Sequence, residues 1–313
     1  MTQKNFYRLA LFATFLAFAV VVLGAYVRLS NAGLGCPDWP GCYGKLIVSH
    51  EVAADPAKAW KEMIHRYLAG TLGLVIFALA FMAWRLRRLP NQPLFLPFFL
   101  VALVIFQALL GMWTVTLLLK PFVVMAHLLG GMTTLALLAW LSLKPYTFPS
   151  PPPGLHCWAV LGLAILVLQI ALGGWTSANY AALACPDFPT CQHQWWPPMD
   201  FREAFTLWHE PHINYEGGVL ENDARVAIHM MHRLGALVTF LFLGGLAIAA
   251  IARGVKGLGL ALLAMVFIQV GLGISNVLLG LPLAVAVAHN AGAALLLLIM
   301  VALNYRLRTQ RSP

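Results

Sequence analysis

Charge is scarce in this chain, and acid is scarcest. Only 10 % of the 313 residues are Asp, Glu, Lys or Arg, and 11 acidic residues face 20 basic ones. With 61 % hydrophobic residues and a mean hydropathy of +0.80, that poverty rules out an ordinary soluble domain. Cysteine is also sparse, at five residues, four of which form two closely spaced pairs. Few polar residues precede the first apolar run, so no transit peptide is expected. That run is too long for a signal-peptide core and is kept as the first span.

A membrane-spanning helix needs about 20 mostly apolar residues. The apolar runs predict spans near 7–28, 65–85, 94–116, 121–143, 156–176, 227–252, 257–279 and 282–304. The expected fold is an all-α integral membrane protein with eight transmembrane helices. Acid is missing from one side of it. With a cytoplasmic N-terminus, the cytoplasmic segments hold Lys4, Arg8, Arg85, Arg87, Arg88, Lys144, Arg253, Lys256, Arg306, Arg308 and Arg311 but no Asp or Glu. Every acidic residue, from Asp38 to Asp223, falls on the outer side. The basic count alone is 11 of 20, a weak bias, but short basic turns such as Arg85 to Arg88 set orientation. The net charge of +9 is therefore a topology signal and not a nucleic-acid footprint.

The chain is duplicated. Leu23-Gly24 through Cys42 aligns without a gap on Leu172-Gly173 through Cys191, at a constant offset of 149. Gln107 to Gly111 aligns on Gln269 to Gly273 at an offset of 162, which also carries His127 onto His289. Two tandem four-helix bundles are expected, 1–148 and 149–313, each with an even number of spans. Such halves enter the membrane in the same sense, so a pseudo-twofold along the membrane normal should relate them.

A finer repeat runs inside each half. The first, third, fifth and seventh spans carry a Leu-Gly pair at 23–24, 110–111, 172–173 and 272–273. The other four begin near a histidine: His65, His127, His232 and His289. One turn further stands a small residue, Ala69, Gly131, Ala236 or Ala293, on the same helix face. Small residues also serve plain helix packing, but packing does not explain four intramembrane histidines, which mark a functional site by default. A flat macrocycle against the backbone explains both. Pairing His65 with His127 and His232 with His289 gives each half one pair of axial heme ligands. Zinc is the competing metal, but two imidazoles without thiolate or carboxylate leave it short of ligands.

Cys36 with Cys42 and Cys185 with Cys191 bracket Pro-Asp turns in outer loops, and two small disulfides are expected there. Reduced cysteines, or an exchangeable Cys36–Cys42 pair, are the alternatives. Cys157 has no partner and is expected to be a buried small hydrophobe. The polar segment 192–226, with His193, His209 and His212, should fold over the second half as a lid, its histidines solvated.

The halves differ beside the histidines. Glu62 stands three residues before His65, and His229 holds the corresponding place before His232. The carboxylate either complements the helix dipole or accepts a proton beside a reacting cofactor. Arg66 and Arg233 each follow a histidine. They either bind heme propionates or snorkel to the headgroups.

The run from Arg28 through Pro40, the Glu62-to-Arg66 stretch and the duplicated eight-helix plan resemble heme A synthase, over essentially the whole chain. The cysteine pair matches a cysteine-bearing bacterial branch. The resemblance implies oxidation of the heme O C8 methyl to a formyl group through an alcohol, giving heme A for terminal oxidases. It implies that Glu62, His65 and His127 form the substrate and catalytic site, and that His232 and His289 hold heme b as an electron relay. Heme O would come from a farnesylating partner, heme O synthase, and Cys36/Cys42 are not expected to be required for the core oxidation, since other branches lack them. The implied location is a bacterial inner membrane. Bis-histidine ligation blocks oxygen at iron, so either His65 or His127 releases, or electrons are withdrawn and water attacks with Glu62 taking a proton. The second route is favoured. A membrane cytochrome b and a heme carrier are the rival classes. The first would place its hemes at different depths, and the second would need a polar path to the cytoplasm.

Overall fold

The first two helices begin where the sequence supplies a cap. Thr2 accepts a hydrogen bond from the main chain of Asn5 at the start of α1 (Gln3–Leu29). Asp55 does the same for Lys58, with Pro56 at the first position of α2 (Pro56–Arg85). The computed structural model describes residues 2–47, 54–146, 154–207 and 213–308. The remaining long helices are α3 (Phe95–Thr116), α4 (Pro121–Leu143), α5 (His156–Ala178), α7 (Asn222–Ala252), α8 (Lys256–Leu278) and α9 (Leu283–Leu307). One short helix, α6 (Phe201–Ala204), interrupts the segment between α5 and α7. All eight long helices are apolar enough to cross a membrane, and no strand occurs among the described residues. The protein is an all-α, multi-pass membrane protein.

Two helices start earlier than hydropathy predicts. Lys58, Lys61 and Glu62 hide the first turns of α2 from an apolar scan, and Asn222 to Arg225 hide those of α7. His65 therefore sits about 14 Å, and His232 about 15 Å, from its helix start at 1.5 Å per residue. The added turns carry Glu62 and His229.

The chain divides into two compact units, residues 1–116 with 126–148, and residues 117–125 with 149–313. In the first, α1 packs on α2 and α2 on α3, with Phe6, Ala10, Ala13 and Ala17 forming a buried stripe of mostly small side chains. In the second, α5 packs on α7 and α9, and α8 packs on both α7 and α9. Helices in lipid gain little from hydrophobicity and associate by close packing, which small residues permit. The large apolar side chains point outward instead, as Phe15, Phe95 and Leu168 do.

Cys157 is exposed, which corrects the expectation of a buried residue. It lies on the outer face of the first turns of α5 beside exposed Trp158. Lipid accepts a thiol as readily as a core does. His209, His212, Arg311 and the boundary expected at 148/149 lie outside the described residues.

Candidate functional site

Each Leu-Gly pair provides a seat for an imidazole. A Cβ added at Gly24 would lie 2.9 Å from His65 Cε1, and one at Gly111 would lie 3.4 Å from His127 Cε1. In the second half the corresponding distances are 3.1 Å for Gly173 to His232 and 3.2 Å for Gly273 to His289. Even a methyl group would crowd these contacts. The glycines are thus the residues that let each ring approach the neighbouring helix this closely.

The rings fit a metal held by imidazoles. His65, His127 and His289 meet the main chain one helical turn before their glycines, at Val20, Gln107 and Gln269. In all three Nδ1 is buried with no hydrogen-bond partner. A ring packed against a neighbouring helix with a buried nitrogen left unmatched is a ligand in waiting. His232 and His289 have centroids 6.5 Å apart. An imidazole nitrogen sits about 2.0–2.1 Å from a metal, which places the centroids of two facing rings about 6 Å apart. No cluster of three or more His, Cys, Asp or Glu side chains suited to a metal exists among the described residues. The donor set is thus short for zinc and sufficient for heme, whose macrocycle supplies four nitrogens of its own.

Above the histidines stand two small loops with the same construction. Both cysteine pairs are bonded, at S–S distances of 2.01 Å for Cys36–Cys42 and 1.96 Å for Cys185–Cys191. An isolated bridge follows each, Cys42 with Lys45 and Cys191 with Gln194. Asp38 accepts from the N–H groups of Tyr43 and Gly44, and Asp187 accepts from those of Gln192 and His193. An arginine ties each loop to its helix. Arg66 donates to the carbonyls of Asp38 and Gly41, and Arg233 donates to those of Cys185, Asp187 and Thr190.

Glu62 is buried, accepts from Cys36 N–H at 2.9 Å and forms an ion pair with Arg66. It is the seventh residue of α2, beyond the first turn where a helix dipole is felt. The dipole reading therefore gives way to a strut between loop and helix.

Residues 7–301 match the family model described as cytochrome oxidase assembly protein, COX15-CtaA. The chain belongs to that family. It is 46 % identical over 307 residues to a heme A synthase of Shewanella oneidensis, covering 92 % of both chains. A heme A synthase of Rhizorhabdus wittichii is 26 % identical over 85 % of this chain and 83 % of its own. Another, from Shouchella clausii, is 28 % identical over 64 % of this chain and 68 % of its own.

In the second half His229 replaces Glu62 and is likewise buried, with Nδ1 unpartnered. Three glutamines were visible in the sequence without a role: Gln107, Gln169 and Gln269, each one turn before a seating glycine. Gln169 and Gln269 donate to the main-chain carbonyls of His232 and His289. The segment after the second disulfide is anchored by Trp175, whose indole N–H donates to Ala204 at 2.8 Å. Ala204, Leu220, Ala224 and Ile228 pack around that ring. His193 is exposed. A cavity of about 700 Å³ lined by Lys4, Arg8 and Lys144 opens at the far end of the first unit and contains none of the four histidines.

Proposed function

We propose that this chain is a heme A synthase that oxidises the C8 methyl of heme O to a formyl group. The observation that carries the reading is four imidazoles, each seated on a glycine, in a chain closely similar to a heme A synthase. His65 and His127 hold the substrate heme O, and His232 and His289 hold heme b. Heme b, when bound, supplies a one-electron redox centre that passes electrons to an acceptor outside the chain. The class is therefore oxidoreductase.

The oxidation runs in two stages. The first withdraws two electrons from the methyl group and adds the oxygen of water, giving the alcohol. The second withdraws two more, giving the formyl group, and protons leave at both stages. Glu62, paired with Arg66, stands one turn from His65 and accepts a proton. Arg66 and Arg233, whose guanidinium groups reach the loop carbonyls above the rings, are the cationic groups available to heme propionates.

A farnesylated porphyrin dissolves in lipid, so a site between helices suits it, and heme O synthase is the source class for the substrate. The acid-free basic segments support a reading in which both termini are cytoplasmic and the disulfide loops lie outside a bacterial inner membrane. The test is chromatographic heme analysis of the chain co-expressed with a heme O source. Alcohol and formyl products are expected from the native chain. Heme b alone, in native and variant chains alike, would demote it to a cytochrome or a carrier.

A further inference from the structure

Three of the four histidines share a device that the fourth lacks. Three residues beyond His127, His232 and His289 stand Gly130, Gly235 and Gly292, each covered by a glutamine from a neighbouring helix. A Cβ there would lie 1.7 Å from Gln107 Nε2, 2.4 Å from Gln169 Oε1 and 2.2 Å from Gln269 Oε1. A larger residue there would push each amide out of its present position.

What the amides do is local and specific. Gln169 Nε2 donates to the main-chain carbonyl of His232 at 3.1 Å and lies 3.0 Å from its Nδ1. Gln269 Nε2 donates to the carbonyl of His289 at 2.9 Å and lies 3.5 Å from its Nε2. Gln107 occupies the same seat beside His127, and its amide nitrogen is buried without a partner. At His65 the corresponding positions are Val20 and Leu68, neither of which carries a polar side-chain group.

We propose that Gln169 and Gln269 are positioning residues that lock His232 and His289 on a resident heme, that Gln107 steadies His127, and that His65 is the ligand that leaves the iron. A carboxamide can offer an N–H or a C=O, so it serves an imidazole in either tautomer and resists rotation of the ring. Such outer-shell partners are worth roughly 10–100-fold in metal affinity or activity. The second half has two of them, and the first has one in the same seat and none at His65. That gradient suits a cofactor that stays in one half and a substrate that enters and leaves the other.

The inference rests on the histidines holding heme and not on conversion of heme O, and its test is chosen accordingly. The full chain, loaded with heme b, is reduced and exposed to carbon monoxide, which binds only iron that has lost a ligand. Heme release is followed in parallel by transfer to a heme-scavenging globin, and circular dichroism reports folding. The native chain is expected to show a carbon monoxide-reactive fraction that disappears in the double variant Val20→Gln/Leu68→Gly. Gln169→Leu and Gln269→Leu are expected to release heme roughly 10–100-fold faster and to gain a reactive fraction. Gln269→Glu, which keeps the reach but whose carboxylate cannot donate to the His289 carbonyl, should also release heme faster than the native chain. Unchanged release in both leucine variants, or carbon monoxide binding that survives in the double variant, would overturn the proposal. A chain that passes this test yet makes no formyl product would sink the synthase reading alone.

Discussion

The two disulfide loops have the same backbone and different anchors. At an offset of 149, Asn31 and Tyr180 have φ of 51° and 53°, and Tyr43 and Gln192 both have φ of 53°. The Asp-capped turn, the disulfide and the arginine clamp recur with them. In the first half, however, the clamp is a three-way junction, because Arg66 also pairs with Glu62, which in turn holds Cys36 N–H. In the second half Arg233 meets carbonyls and lies over the Phe188 ring at 5.8 Å, while His229 stands aside with an unpartnered nitrogen. The lesson is that the scaffold above both sites is set by main-chain hydrogen bonds. The side chains beside the histidines are where the halves have diverged.

The sharpest way to break that comparison is to remove each arginine. Arg66→Ala leaves Glu62 as a buried carboxylate without its counter-ion, and breaking such a pair costs about 3–5 kcal/mol. Arg233→Ala breaks no ion pair: it loses hydrogen bonds to carbonyls and the contact with the Phe188 ring, and leaves no charge buried without a partner. Thermal denaturation in detergent should rank the two in that order, and equal losses would mean that Glu62 is no strut.

Cys36→Ser and Cys185→Ser come next. Each opens a short loop, and each should cost about 2 kcal/mol under oxidising conditions. The same denaturation in reductant should erase the difference from the native chain. A loss confined to the first half would show that its Glu62 junction depends on the closed loop.

Gly24→Ala and Gly173→Ala test the imidazole seats. Over-packing costs about 1–3 kcal/mol, and the tighter contact at Gly24 should make its variant the worse of the two. Denaturation midpoints that reverse this order would contradict the seating.

The smallest effect is a titration. The Thr190 hydroxyl, with the N–H groups of His193 and Gln192, holds the Asp187 carboxyl below its usual range. A carboxylate depressed in the folded state adds stability above its unfolded pKa and loses it as pH falls through the folded value. Amide exchange at Gln192 and His193 should therefore stay slow on acidification until below the ordinary carboxylate range. Thr190→Val should move that point upward.

Much of this was legible beforehand because it was periodic. Eight apolar runs, a duplicated Cys-Pro-Asp turn and four histidines in register are one-dimensional patterns, and membrane helices preserve them. The early starts of α2 and α7 were not legible, since charged turns above an apolar span carry no hydropathy signal. The partner of each histidine was missed for a different reason. The glycine that seats His232 is 59 positions away in sequence, and only folding brings such residues together. Glu62 looked like a group placed for chemistry or for the dipole. Its bond to Cys36 is a loop contact that spacing cannot express.

The most direct test of the division between halves is the heme complement of two single variants, each co-expressed with a heme O source. His289→Ala is expected to lose heme b, and His65→Ala to keep heme b while making no alcohol or formyl product. If His65→Ala still yields the formyl heme, or if both variants lose the same pigment, the halves do not divide the work in this way.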